Sequence, residues 1–267
     1  MKYIYDHDMH IHSRLSPCSG DENQTPRRIL DYALANGLTT VAVTDHFWDP
    51  SVGECSNWYK PLNIEHLSKS LPLPQDDKVR FLFGCETDMD MKGNIGLAKD
   101  NFDVFDFVIV STTHFHMEGF TVPAGMTKEE RKERYVRRFH QLLNSDIPFH
   151  KMGIAHLTCN LIDRSSQKAH IETVDMVSDN EFYEIFRGVA RSGLGVELNI
   201  YVNWYSGDEL SRVLRPYRIA KECGCKFYLG SDSHHNTNLL NAPQKLISTL
   251  AVFPLEEKDK FIVESIL

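Results

Sequence analysis

The sequence predicts an α/β fold in which parallel strands alternate with helices and close into a barrel. Two observations support this. Seven β-rich runs alternate with helix-forming segments, which is typical of parallel β-α units. No linker rich in Gly, Ser or Pro and no short internal repeat divides the 267 residues. We therefore expect a single barrel-like domain over residues 1–267 rather than two domains.

Composition narrows the class of protein. Hydrophobic residues make up 42% and charged residues 25% of the chain, as in ordinary globular proteins. We expect no signal peptide and no membrane span, because the start lacks an apolar core and no run reaches about 18 apolar residues. The six scattered cysteines then indicate reduced thiols in the cytoplasm. A net charge of −8 without a basic run argues against a nucleic-acid partner.

The first predicted strand begins near Tyr3 and ends in Asp8-Met9-His10-Ile11-His12. Alternate side chains of a strand share a face, so Asp8, His10 and His12 are expected to point the same way. Two imidazoles on one face can bind one metal ion, and His is the commonest metal ligand. The alternative is a pair of surface histidines on an edge strand.

The other elements follow in order along the chain. Thr25-Pro26 predicts the start of a helix that ends at Asn36-Gly37, and Pro216 is expected to start or kink a later helix. Capping boxes at Thr127/Glu130 and Ser206/Glu209 predict two further helix starts, and another helix is expected around residues 181–191. Residues 47–78 contain few clear elements. The remaining predicted strands cover residues 39–44, 79–83, 105–110, 152–155, 194–196 and 226–229.

Every predicted strand ends in, or is followed directly by, a residue whose side chain can bind a metal or transfer a proton. The carboxyl ends of parallel barrel strands converge on one mouth, where active sites lie. A single histidine after a strand is more often structural, but a series over all seven strands indicates a shared purpose. The series is His10, His12, His46, Glu86, His114, His156, Glu197, Asp232 and His234.

The number of these ligands predicts more than one metal ion. Six histidines with Glu86 and Asp232 offer eight nitrogen or oxygen ligands, whereas one tetrahedral ion needs three or four. We therefore expect two or three divalent ions, of zinc, manganese or iron, with a carboxylate bridging a pair. Such a pair can hold a hydroxide between the ions and clamp a phosphoryl group.

The motifs resemble those of the PHP (polymerase and histidinol phosphatase) family. They are Asp8-Met9-His10-Ile11-His12-Ser13, Thr44-Asp45-His46, Gly84-Cys85-Glu86, His114, Ala155-His156-Leu157 and Gly230-Ser231-Asp232-Ser233-His234. The resemblance implies a distorted (β/α)7 TIM-like barrel of the PHP type that hydrolyses phosphoesters. The chain length and Glu197-Leu198-Asn199 are most similar to the histidinol-phosphatase branch, which implies a small phosphomonoester as substrate. A PHP-type nuclease or phosphodiesterase and a non-catalytic metal-binding regulatory domain are the alternatives.

The resemblance also implies how the ligands are divided and which residues are catalytic. His10, His12, Glu86 and Asp232 would hold one ion, and Glu86, His114 and His156 a second. His46 and His234 would hold a third ion with a residue of the loop after the first strand. That position is occupied by Cys18, where the family pattern often has His or Asp. The implied catalytic residues are Asp232, His234 and Glu86.

Residues that contact the substrate are predicted from their position near the mouth. Arg14 could bind the phosphate, with a solvated surface charge as the alternative. Glu197 and Asn199 are expected to shape the pocket, and a turn or capping role is the alternative for Asn199. Trp58 and Trp204 lie in loops that leave strand ends, where they would wall the pocket or anchor the loops. The sequence does not indicate the oligomeric state.

Overall fold

The computed structural model describes residues 1–263, and its central element is a seven-stranded parallel sheet in sequential order. The sheet curves until its first strand meets its last, where Asp232 N donates to His10 O at 2.7 Å and Ile11 forms a β-bridge with Ser233. The predicted distorted (β/α)7 barrel is confirmed. Its strands are β1 His7–Ile11, β2 Thr40–Phe47, β3 Arg80–Asp88, β4 Phe107–Ser111, β5 Met152–Ile154, β6 Gly195–Leu198 and β7 Lys226–Leu229.

Seven helices connect or flank these strands in the described part of the chain. The capping boxes predicted at Thr127 and Ser206 are present, and Ser178 with Glu181 forms another that was not predicted. Pro216 lies inside the helix Gly207–Glu222, so it does not start a helix, and the expected kink stays a prediction. The helices are α1 Pro26–Ala35, α2 Ile64–Leu67, α3 Lys128–Leu143, α4 Ala169–Asp175, α5 Asp179–Ser192, α6 Gly207–Glu222 and α7 Asn236–Val252.

The first strand differs from its prediction in both bounds and side-chain direction. It begins at His7, and its register against β2 shifts between Asp8 and Ile11. Such an irregularity breaks the strict alternation of side chains. Asp8 accepts hydrogen bonds from Tyr32 Oη at 3.0 Å and Ser231 N at 2.9 Å. The prediction that Asp8 shares a face with His10 was therefore wrong.

The barrel interior is filled at its amino end and leaves the carboxyl end for the site. Phe261 and Val263, near the end of the described chain, join the interior apolar cluster. Phe261 N donates to Phe227 O at 2.8 Å, and Phe227 is the second residue of β7. Most other buried apolar side chains form the larger cluster between strands and helices. Among residues 1–263, no helix combines the length and apolar character needed to cross a membrane.

Candidate metal centre

Glu86, on β3, lies at the centre of the histidine cluster. Its side chain is 1% exposed. Oε2 lies 3.4 Å from His10 Nε2, 3.3 Å from His12 Nε2 and 3.2 Å from His46 Nδ1. Oε1 lies 3.3 Å from His156 Nε2 and 3.8 Å from His114 Nε2, and it has no hydrogen-bond partner among the described groups. One carboxylate therefore separates two sets of imidazoles, with one oxygen directed to each.

Three sets of side chains have donor atoms that all lie within 4.8 Å of one another. Asp232 extends the first set, since its Oδ1 lies 3.3 Å from His12 Nε2 and 3.5 Å from His10 Nε2. Asp232 adopts a left-handed backbone conformation with a φ of 55°, which non-glycine residues adopt uncommonly and mostly at constrained sites. The sets are His10/His12/Glu86, Glu86/His114/His156 and His12/His46/His234.

Hydrogen bonds orient the two histidines from the first strand. His10 Nδ1 lies 2.7 Å from Glu197 Oε1, and His12 Nδ1 lies 3.0 Å from Ser16 Oγ. Ser16 donates its own proton to Asp45 at 2.6 Å, so its oxygen accepts from His12. Both Nδ1 atoms thus carry a proton, and with a cation at the site both rings would be neutral and both Nε2 atoms would present a lone pair to it. These Nε2 atoms are only 3.0 Å apart, as expected of two donors that face one cation.

Hydrogen bonds to Nδ1 also orient His114 and His156, the two histidines of the second set. His114 Nδ1 forms a hydrogen bond with Asp88 Oδ2 at 3.3 Å, and the same oxygen also accepts from Tyr59 Oη at 2.6 Å. His156 Nδ1 lies 2.8 Å from Thr113 Oγ1. In both histidines Nε2 remains directed at Glu86. Metal-binding histidines are held in this way in proteins, with the second ring nitrogen bonded to a carboxylate, carbonyl or water.

The electrostatics of the cluster balance buried negative and positive charge. Burial would raise the pKa of Glu86, but His10, His46 and His114 outweigh it and hold the pKa well below its usual range. Burial would lower the pKa of His10, but the carboxylates of Glu197, Asp232 and Glu86 raise it well above the ordinary value. Without metal, protonated imidazoles compensate the buried carboxylates, and bound metal ions would take over this role.

The third set lies below a cavity of about 470 Å³ at the mouth. The His12 and His234 rings stack with centroids 4.1 Å apart, and burial lowers the pKa of His234 to about 4. Cys18 lines this cavity, but its thiol belongs to none of the three sets among the described residues. The cavity is lined by Cys18, His46, Ser56, Trp58, Tyr59, Glu86, His114, His116, Met117, Leu161, Asp232 and His234.

Comparison with known proteins identifies the family. Residues 8–200 match the PHP domain family. The chain belongs to the PHP domain family. No curated protein matches it.

Two solved structures are similar to this PHP protein. One is a histidinol phosphate phosphatase from Lactococcus lactis in complex with zinc, L-histidinol and phosphate. It is 20% identical with a TM-score of 0.58, covering 91% of this chain and 93% of its own. The other, from Listeria monocytogenes and of the histidinol phosphatase type, is 14% identical with a TM-score of 0.58, covering 87% of this chain and 96% of its own. At these identities the likeness shows the fold.

The three residues predicted to contact substrate lie in different surroundings in the PHP barrel. Arg14 is half exposed, pairs with Glu22 at 3.4 Å and lines a separate groove. Glu197 is fully buried, and besides His10 it accepts from His156 N at 2.6 Å. Any side chain at position 230 would collide with Glu197, because a Cβ built on Gly230 would lie 1.9 Å from Glu197 Oε1. The glycine therefore allows the backbone after β7 to lie against this carboxylate. Asn199 lines a smaller cavity beside His156.

Several residues that orient the histidines were not predicted. Asp88 holds His114, Thr113 holds His156, and Ser16 with Asp45 holds His12. Strand periodicity could have found Asp88, which lies two residues after Glu86 on β3 and so shares its face. Ser16 lies in the loop after β1, where no periodicity applies.

Proposed function

We propose that this protein is a metal-dependent phosphomonoesterase of the histidinol-phosphatase type. The observation that carries the proposal is the buried Glu86 carboxylate, which directs one oxygen to each of two oriented histidine sets. Two ions bridged by a carboxylate are a recurring arrangement in phosphoester hydrolysis. The Lactococcus lactis protein of similar fold, with its zinc, L-histidinol and phosphate, supports a small phosphorylated substrate.

The donor sets fit divalent zinc, manganese or iron ions. His10, His12, Glu86 and Asp232 would hold one ion, and Glu86, His114 and His156 a second. His46 and His234 would hold a third, for which Cys18, on the wall of the same cavity but outside their donor set, is the proposed further ligand. Mixed imidazole and carboxylate ligands suit these metals better than calcium or magnesium, and a thiolate suits zinc. When bound, such ions would stabilise the negative charge of the phosphoryl group and acidify water at the site.

The residues of the chain itself orient the ligands and handle protons. Glu197 holds His10, and the Ser16–Asp45 pair holds His12, so the ligand geometry exists before the substrate binds. Asp232 is the carboxylate that lines both cavities at the mouth. Either His234 or Asp232, which lie 3.5 Å apart, is the group proposed to handle the proton of the leaving-group oxygen.

The cavity linings favour a monoester over nucleic acid. Among the described residues, no lysine or arginine lines either cavity that contains Asp232. A groove that binds a nucleic-acid backbone needs several such cations.

Steady-state hydrolysis tests this function. The metal-containing protein is assayed against small phosphomonoesters, including histidinol phosphate, and against a phosphodiester and single- and double-stranded DNA. We expect kcat/KM for the best monoester to exceed that for the diester and DNA by at least about a hundredfold, or ~2.7 kcal/mol of barrier. Glu86→Gln, purified identically, controls for a contaminating phosphatase. Faster cleavage of DNA would replace this proposal with a nuclease function.

A further inference from the structure

A second, smaller cavity adjoins the metal centre and has an aromatic wall. It measures about 140 Å³ and shares Asp232 and Leu161 with the larger cavity. His156 and Asp232 of the metal centre line it together with Tyr201, Trp204 and Tyr205. The larger cavity, in contrast, is lined mainly by the proposed metal ligands and nearby aromatics. The two cavities therefore differ in chemistry while meeting at Asp232.

Two exposed aromatic rings of this wall are stacked in a fixed geometry. The Tyr201 and Trp204 rings lie 4.3 Å apart with an interplanar angle of 13°. Trp204 N also donates to Tyr201 O at 2.9 Å within the short turn that carries both residues. Tyr201 is 38% exposed and Trp204 59% exposed, so this apolar surface faces solvent and the cavity rather than the core. Large exposed aromatics beside a reactive centre are typical of ligand contact.

Lys245, on α7, immobilises the stack from behind. Its ammonium lies 3.7 Å from the centroid of the Tyr201 ring. Because Trp204 stacks on Tyr201 within 4.3 Å, the ammonium must lie on the opposite face. Lys245 also donates to Asn199 Oδ1 and, at 2.7 Å, to Ser231 O, next to Asp232. Both faces of Tyr201 are therefore covered, and the free aromatic face of the stack belongs to Trp204.

We propose that the cavity walled by Tyr201, Trp204 and Tyr205 binds the leaving group of the substrate, and that it selects a single planar ring. This inference rests on the proposed function. The volume matches one ring, since a cavity of roughly 150 Å³ is known to accept benzene. The wall supplies a flat face for offset stacking, whereas a saturated ring of the same carbon count is puckered and stacks poorly. The phosphate end would then lie at the shared Asp232.

A matched pair of esters tests planarity separately from apolar size. Benzyl phosphate and cyclohexylmethyl phosphate have the same number of carbons and the same methylene beside the ester oxygen, but only the first ring is planar. For the metal-containing protein we expect kcat/KM to favour benzyl phosphate about fivefold, the usual contribution of an aromatic pair. Trp204→Leu should bring this ratio to within about twofold of unity, and Trp204→Phe should retain most of it.

Trp58→Leu is the matched control, because Trp58 is 37% exposed and lines the larger cavity instead. It should leave the benzyl-to-cyclohexylmethyl ratio unchanged. If Trp58→Leu abolished the preference for benzyl phosphate and Trp204→Leu did not, the substrate ring would bind in the larger cavity and the inference would be overturned. A ratio near unity in the unmodified protein would overturn it as well.

Calorimetric titration separates this inference from the proposed function. Phenethylphosphonate and cyclohexylethylphosphonate replace the ester oxygens of the two substrates by methylene and bind without turnover. Preferential binding of the planar compound, lost in Trp204→Leu, would support the ring site even if no ester were hydrolysed. Equal binding of both compounds would overturn the ring site even if the protein were an active phosphatase.

Discussion

Glu86→Gln is the substitution that most directly tests the metal centre. It preserves the size of the side chain but replaces one carboxylate oxygen by an amide NH₂ group, which has no lone pair to offer a cation. It also removes the negative charge on which both histidine sets converge. Because Oε2 faces His10, His12 and His46 while Oε1 faces His114 and His156, the substitution affects both proposed ions at once.

The expected loss of activity follows from the number of ion sites that are altered. Removing even a group that only orients a metal ligand typically costs 10–100-fold in affinity or activity. At about tenfold or more for each of two ions, Glu86→Gln should lower kcat/KM by at least roughly a hundredfold, or ~2.7 kcal/mol of barrier. The metal-free fold should survive, since Glu86 Oε1 has no hydrogen-bond partner to lose among the described residues and the imidazoles near Oε2 can release their protons once the carboxylate charge is gone.

The assay combines kinetics with elemental analysis and thermal unfolding in the presence of a chelator. We expect a large fall in kcat/KM, a lower metal content, and an unfolding temperature no lower than that of the metal-free parent protein. Activity within about tenfold of the parent, or ~1.4 kcal/mol, would refute a bridging role for Glu86.

Three further predictions concern the ions and their surroundings. Elemental analysis of protein purified without chelator should give at least two ions per chain, and fewer than one would contradict the counting of donor sets. Glu197→Gln, which loses the charge and leaves one acceptor oxygen where Glu197 accepts from both His10 Nδ1 and His156 N, should reduce activity about 10–100-fold while both ions stay bound, as measured by the same two assays. Cys18→Ser should lower zinc content by close to one ion per chain, and Cys18→His should restore it. An unchanged metal content in Cys18→Ser would leave the thiol without a metal role.

The sequence predicted the barrel and the position of the cluster because both depend on regular rules. His46 and Glu86 lie near the carboxyl ends of β2 and β3, and Asp232 follows β7, so parallel strands bring them to one mouth. This reasoning needs only the order of strands and the residue that closes each one. It is therefore insensitive to errors of a few residues in strand bounds, such as the early start expected for β1.

Side-chain directions and partners were harder to predict, because they depend on local irregularities. The register shift in β1 turned Asp8 away from His10, and alternation alone could not reveal it. Residues 47–78 have little regular structure, and Tyr59, which lies there, donates to Asp88 behind His114. Such a contact joins a loop to a strand across 29 residues, and no periodic pattern encodes it.

The orientation of the histidines connects the fold with the proposed chemistry. A histidine at a strand end can present either ring nitrogen, and the ligand pattern fixes neither. In this barrel Glu197 holds Nδ1 of His10 and Asp88 holds that of His114, so Nε2 of both faces Glu86. These acceptors come from β6 and β3, whose hydrogen bonds to the rest of the sheet hold them in place. The rigid sheet thus orients the donor atoms before any ion binds, which reduces the entropy that metal binding must offset.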